Sequence, residues 1–264
     1  MSRPHLSRHW SQLKAISQAF QRWPIIALAA ITWKYLPLPS LRISVTTRSG
    51  TRLLVPLHYA EGGLWAVMEV FAFREYEPFS QLLNGALVVD IGAHVGSFAL
   101  RVHEVFPLAE FICCEPDPEA FKLLSYNLMT NGVPAKLHQV AVTDRTGVAA
   151  LYRSQPGAPT NRVADKPGNT TCEVRSLSLG ELMLTVDRDI ALMKLDCEGS
   201  EYRIVRGSSD RAWAPVQRIV MERHPAGAQE QAALRRRLGD LGFRTIRQTL
   251  LGPDCELIWL SRVD

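Results

Sequence analysis

The chain has 264 residues, 47% of them hydrophobic and 21% charged, with a net charge of +4. That length accommodates one sizeable α/β domain with additions and is short for two. The five cysteines, at 113, 114, 172, 197 and 255, form no C-x-x-C pair, which excludes a cysteine metal finger and points to free thiols in a reducing compartment.

Residues 1–60 hold eight Lys or Arg and no Asp or Glu, so the rest of the chain is net negative. A basic arm on an acidic body suggests an anionic surface, membrane or nucleic acid, as partner. Within the arm, Trp10, Leu13, Ile16, Phe20 and Trp23 recur at helical spacing, with Lys14, Gln18 and Arg22 between them. This predicts an amphipathic helix that caps the domain, its aromatic and basic groups also suiting interfacial membrane contact. The apolar run 24–33 is ten residues long, too short to cross a bilayer. Leu36-Pro37-Leu38-Pro39 makes a poor signal cleavage site, although the acid-poor start also has the look of an organelle transit peptide. We expect a cytoplasmic protein with peripheral membrane contact through this arm. Alternation around Ser49-Gly50 predicts a β-hairpin over 41–57, and 62–83 reads as an apolar-rich helix broken at Pro78. The chain thus divides into an extension, 1–60, and a main domain, 61–264.

The main domain is organised around Val88-Val89-Asp90-Ile91-Gly92-Ala93-His94-Val95-Gly96-Ser97, a buried strand running through a glycine turn into a helix. Its glycines let the backbone approach a ligand, which then faces the amides at the helix start. A second strand, 110–114, ends in Glu115, 23 residues beyond Gly92, where a doubly wound fold places the carboxylate that accepts ribose hydroxyls. The turn is D-x-G-x-x-x-G rather than G-x-G-x-x-G, and Asp90 repels a phosphate but suits an ammonium. A ribose with an ammonium and no phosphate describes S-adenosylmethionine.

Pro116-Asp117-Pro118 starts a helix with Phe121, Leu124 and Leu128 inward, ended by Asn131-Gly132. Lys136–Val142 is a third strand, Val148–Tyr152 a short one, and 154–171, rich in Pro, Gly, Asn and Thr, a surface loop and candidate lid. A short helix at 178–183 leads to a fourth strand, 190–195, which ends in Asp196-Cys197-Glu198-Gly199-Ser200-Glu201. The fifth, 218–221, ends in Glu222-Arg223-His224-Pro225. A helix carrying Leu234 and Leu238 follows, then two strands, 243–246 and 256–260, around a Gly-Pro-Asp turn. An antiparallel hairpin closing a parallel sheet departs from the dinucleotide fold.

These motifs resemble the FkbM family of S-adenosylmethionine-dependent methyltransferases over about residues 60–260. The resemblance rests on Val89–Gly96, Glu115-Pro116, Ala141–Asp144, Leu177–Leu182, Glu222–Pro225 and, most specifically, Lys194-Leu195-Asp196-Cys197-Glu198-Gly199-Ser200-Glu201. His94 and Cys197 stand where Asn and Val are common in the family. The resemblance implies a Rossmann-like, seven-stranded, mostly parallel α/β sheet. It also implies O-methylation of a natural product, sugar or lipid.

Methyl transfer is an in-line displacement, so alignment is the main task, with a base to take the hydroxyl proton. Ligands sit outside the carboxyl ends of strands. On that rule Asp90, Gly92, His94, Gly96 and Ser97 hold the methionine portion, and Glu115 with Pro116 the ribose. Ala141 and Val142 lie beside the adenine, and Tyr76 closes over the cofactor. Asp196, Glu198, Glu222 and His224 stand at the reacting end, with His224 the best-tuned base and Glu201 a helix-terminal charge. A divalent cation on Asp196 and Glu222, joined by His224 or Glu198, is an alternative mechanism. A nicotinamide oxidoreductase lacks its third glycine here and any Tyr-x-x-x-Lys pair. A non-catalytic adenosyl-binding protein fits poorly with intact strand-end carboxylates. A nucleic-acid methyltransferase lacks an Asn-Pro-Pro-Tyr-type element, so a nucleic-acid partner is not favoured.

Overall fold

The chain alternates short apolar runs with amphipathic ones, and most become the element their period predicts. The structure, a computed structural model, describes residues 4–32, 41–56, 63–77, 82–153, 158, 160–163, 171–251 and 255–263. The arm supplies α1 (Pro4–Ala19), α2 (Trp23–Thr32) and the hairpin β1 (Arg42–Thr46) and β2 (Arg52–Pro56), followed by α3 (Gly63–Phe71). Next come β3 (Leu87–Ile91), α4 (Ser97–Val105), β4 (Glu110–Cys114), α5 (Pro118–Thr130) and β5 (Ala135–His138). A small sheet uses β6 (Ala141–Thr143), β7 (Gly147–Tyr152), β8 (Arg162–Val163) and β9 (Thr171–Ser178). The chain ends with α6 (Leu179–Met183), β10 (Ile190–Leu195), α7 (Glu201–Gly207), α8 (Asp210–Trp213), β11 (Arg218–Arg223), α9 (Ala228–Asp240), β12 (Phe243–Leu250) and β13 (Glu256–Arg262).

Seven strands form one sheet in the order β12-β13-β11-β10-β3-β4-β5. Strands β11, β10, β3, β4 and β5 are parallel, and β13 runs antiparallel to both β11 and β12, as the closing hairpin predicted. Alternate side chains of a strand point to opposite faces. Val88 and Leu192 accordingly pack with Phe98, Leu100 and Leu124 on one side, and Val89 and Met193 with Leu182, Ile204 and Trp213 on the other. Helices cover both faces, which is why these strands read as continuous apolar runs rather than alternating ones.

Three local expectations are corrected. The third strand is not continuous over 136–142: a tight turn, with the Val140 N–H on the His138 carbonyl at 3.0 Å, ends β5. Strand β6 then leaves the main sheet to pair with β9. The helix over 62–83 ends at Phe71, because the Ala72 and Phe73 amides both donate to the Met68 carbonyl and Arg74 turns left-handed at φ 55°. The Pro78 expected to break it lies outside the described residues, as do the 252–254 turn and most of the 154–171 loop. The single arm helix is two, meeting at Arg22 (φ 49°).

The arm caps the domain as predicted. Ile16, Phe20, Ile26, Val45, Leu53 and Val55 share one apolar cluster with Phe98 and Leu100, while Trp10 stays exposed. The boundary expected near residue 60 falls within 57–62, outside the described residues.

Gly92 is the tightest point of the fold. It has φ +79°, and a Cβ there would lie 1.8 Å from the Asp196 carbonyl oxygen. Gly50 has φ +102° and nothing within 4 Å of its Cβ position. We predict that Gly92→Ala costs about 3 kcal/mol or more, from backbone strain plus overpacking, whereas Gly50→Ala costs about 1 kcal/mol from strain alone. Urea unfolding of both variants measures this; equal losses would refute the packing argument.

Candidate active site

The carboxyl ends of β3, β4, β10 and β11 open into one cavity, as the parallel sheet requires. Gly92, His94, Ser97, Glu115, Pro116, Ala141, Val142, Tyr76, Asp196, Glu198 and Glu222 all line it. Three expected residues do not: Asp90 and Gly96 lie beneath the turn, and His224 stands behind the carboxylates.

The glycines of the turn are also required by packing. Gly92 admits the Asp196 carbonyl, and a Cβ on Gly96 (φ +87°) would come within 2.9 Å of Leu124. Both glycine-turn amides, Gly92 and Ala93, donate to the Cys114 carbonyl at 3.0 Å, which locks the turn onto β4. Glu115 accepts the His94 N–H on one oxygen and the Asp117 N–H on the other, each at 2.8 Å. Burial raises its carboxyl to about 7 despite these donors. A carboxylate has about four lone-pair sites, so two remain for ribose hydroxyls. The Ser97 hydroxyl, buried at the start of α4, lines the cavity with no hydrogen-bond partner among the described residues. An orphaned donor beside helix N-terminal amides fits the carboxylate of an amino acid, so the turn fits the methionine portion of S-adenosylmethionine.

Sequence reasoning passed over Lys194. Its buried ammonium lies 2.9 Å from the Gly92 carbonyl, 3.3 Å from Asp90 and 3.2 Å from Asp196. The rings of Tyr76 and Phe98 are each 5.8 Å away. Burial opposes its charge, but Asp196 and Asp90 hold its pKa above the ordinary lysine value. Burial likewise raises Asp90, with Lys194 working against it. For Asp196, Lys194 and His224 outweigh burial and keep the carboxyl below its usual range. The signal was available: Lys194 sits on an otherwise apolar core strand, where an unpaired lysine is not tolerated.

At the reacting end the Tyr76 hydroxyl is 3.0 Å from Asp196 and 3.1 Å from Glu222. Burial and Asp196 push Glu222 up to about 7. Glu69, also missed from sequence, lines the same region from α3; burial and the neighbouring Glu75, Glu222 and Asp196 raise it to about 8. It is the one acid in a helix otherwise apolar, Gly63–Phe71. His224 is not the free imidazole that its reference pKa suggests. It lies 3.4 Å from Glu198, 3.3 Å from Glu201 and 3.6 Å from Glu222. Burial opposes its charge, but the carboxylates of Glu198 and Glu201 facing it raise it to about 12, which favours the imidazolium. Glu201 accepts the Cys197 and Gly199 amides and shapes the turn after β10, in keeping with a structural charge.

Glu222, His224 and Cys255, and Asp196, Glu201 and His224, each bring three ligand-type atoms within 4.8 Å. The two sets compete for one imidazole already held by carboxylates, and Lys194 occupies Asp196. An Mg²⁺ shell asks for about six oxygens in octahedral array; this set fits a proton and an ammonium better.

The family model for the methyltransferase FkbM domain matches residues 90–245. The 31-O-demethyl-FK506 methyltransferase FkbM of Streptomyces tacrolimicus is 29% identical over 188 residues, covering 59% of this chain and 72% of that protein. Methyltransferase sdnD of Sordaria araneosa is 25% identical over 213 residues, 68% and 81% of the two chains. Among solved structures, the ribosomal protein L11 methylase of Lactobacillus delbrueckii subsp. bulgaricus aligns with TM-score 0.46 and 11% identity, over 77% of this chain and 82% of that one.

Removing one partner of a buried ion network leaves the others uncompensated. Lys194→Met is predicted to cost about 3–5 kcal/mol in urea unfolding, and adding Asp90→Asn to recover part of that loss. If Lys194→Met unfolds like wild type, the buried network does not contribute to stability.

Proposed function

Because the chain belongs to the FkbM methyltransferase family, we propose that it moves the methyl group of S-adenosylmethionine to a hydroxyl on a small molecule, sugar or lipid. The observation that carries this reading is the single cavity running from Gly92 and Glu115 to the Tyr76, Asp196 and Glu222 cluster. The name of the Streptomyces relative describes an oxygen acceptor on a natural product, which supports the same chemistry here. When bound, S-adenosylmethionine supplies a methyl carbon activated by its sulfonium. Ser97 and the α4 amides hold its carboxylate, Glu115 its ribose, and Ala141 and Val142 its adenine. Asp90 acts from beneath through Lys194.

Glu222 takes the acceptor proton. A carboxyl held at about 7 is matched to neutral pH, where a general base works best. The Tyr76 phenol has one proton and two carboxylate neighbours. With Asp196 ionised, Tyr76 donates to Asp196 and can accept from Glu222 once Glu222 is protonated. The proton leaving the acceptor therefore has a defined place to rest. His224, as an imidazolium, fixes Glu198 and does not serve as base.

Calorimetry with S-adenosylhomocysteine tests the cofactor, and its release over a panel of polyols, glycosides and hydroxylated macrolides identifies the acceptor. Glu222→Gln is expected to lower kcat by about 10²-fold or more while leaving S-adenosylhomocysteine affinity within about threefold. The wild-type rate rises as pH passes through about 7 and holds above it, because the base must be ionised. His224→Gln keeps the rise but moves it to higher pH, because the charge that lowers Glu222 is gone. A rate following His224 rather than Glu222 would overturn the assignment, and binding of NAD alone would refute the methyltransferase cofactor.

The arm supports an anionic membrane surface as a peripheral partner. Ile16, Phe20 and Ile26 anchor it inward, leaving Trp10, Ile25 and Leu28 exposed at 70%, 57% and 60%. Lys14, Arg22 and Arg48 are exposed on the same acid-free segment. No helix among the described residues is long and apolar enough to cross a membrane. The protein is expected to co-sediment with vesicles containing phosphatidylserine more than with phosphatidylcholine alone, and less at high salt. Ile25→Glu with Leu28→Glu should abolish this; equal sedimentation of variant and wild type would remove the arm from membrane contact.

A further inference from the structure

We infer that Asp117 is a positioning residue for the nucleoside end of the cavity, its two carboxylate oxygens dividing between the start of α5 and the wall carried by Arg153 and Asn161. The inference rests on the cofactor reading above. Asp117 is 1% exposed. Its Oδ1 accepts the Glu119 amide at 2.8 Å and the Ala120 amide at 3.1 Å, capping α5. Its Oδ2 accepts Arg153 Nε at 2.7 Å and Asn161 Nδ2 at 3.0 Å.

Arg153 follows β7 directly and Asn161 directly precedes β8. One buried oxygen therefore ties both strands of the pair that matches Leu151 with Val163. Leu151, Asn161, Arg162 and Val163 line the cavity that also holds Glu115. The Arg162 guanidinium lies 4.9 Å over the Tyr152 ring, stiffening the pair further. Asp117 also gives its own N–H to Glu115. The ribose carboxylate, the start of α5 and the opposite wall are thus all referenced to one residue.

From sequence, Asp117 between two prolines reads as a helix cap and nothing more. Capping needs only one oxygen, and Asn serves as well as Asp. The second oxygen is what demands a carboxylate: it meets two donors, one of them charged. In Asp117→Asn the amide oxygen can keep the cap while its NH₂ faces the Arg153 and Asn161 donors. Arg153→Met reaches the same contact without touching the helix.

The test uses the full chain and two probes, S-adenosylhomocysteine and 5′-methylthioadenosine, the second lacking the amino-acid portion. Asp117→Asn and Arg153→Met are each expected to weaken both probes by one common factor, about tenfold, the weight of a charge-assisted hydrogen bond. The double variant is expected to be no worse than the poorer single one, because both remove the same contact. Arg153→Met leaves the α5 cap but takes the charged partner from a buried carboxylate oxygen, so its Tm falls, and the affinities are read well below that transition. Wild-type affinity in both single variants would overturn the inference. So would losses that add in the double variant and follow Tm, the mark of general loosening. If wild type itself binds neither probe, the cofactor reading falls together with it.

Discussion

A lysine ammonium buried at the centre of the sheet is the constraint on which the rest depends. Lys194 cannot hydrate, so its charge must be met by fixed groups, and the structure supplies Asp90, Asp196 and the Gly92 carbonyl. These three belong to different parts of the site. Asp90 ends the strand that feeds the cofactor turn, Gly92 begins that turn, and Asp196 opens the cluster at the reacting end. On the proposed reading, one side chain therefore sets the distance between the methyl donor and the acceptor, which is the alignment that methyl transfer needs. The 1.8 Å clearance that forbids a Cβ at Gly92 follows from the same close approach of the two loops.

The crowding of acids around this centre is resolved by differing environments rather than differing residue types. Asp196 has Lys194 beside it and stays ionised. Glu222 has burial and the charge of Asp196 against it and is held near neutrality. Glu201 spends its oxygens on backbone amides and shapes a turn. When environments push apart the pKa values of neighbouring carboxyls, they separate the roles those carboxyls can play.

Much of this was legible in the residues. The strand runs at 88–90, 110–114, 190–195 and 218–221, the position of Glu115 at a strand end and the closing hairpin follow from period and position, and the structure has them within a residue or two of their bounds. What was not legible depends on tertiary partners. His224 looks like a base by its reference pKa, and only folding surrounds it with carboxylates from the turn after β10, from α7 and from β11. The glycine turn looks shaped for a ligand, yet its glycines answer to Asp196 and Leu124, 104 and 28 residues away. Glu69 is a lone acid in an apolar helix, and only the fold brings that helix over the cavity at the carboxyl ends of the strands.

The small sheet shows why a run of residues can promise one strand and deliver two. Lys136–Val142 has enough apolar character to cross the sheet edge, but strand β5 is already the last in the row. Continuing there would leave β9 paired on one side only, with β7. By turning at Val140, the chain instead places Ala141 and Val142 against β9, where both are buried and both line the cavity. The small sheet thereby supplies the cavity wall beside Glu115, through Ala141 and Val142 and, further along the chain, Leu151 and Val163. A departure from the simplest strand assignment is thus what gives the cavity its depth beside Glu115.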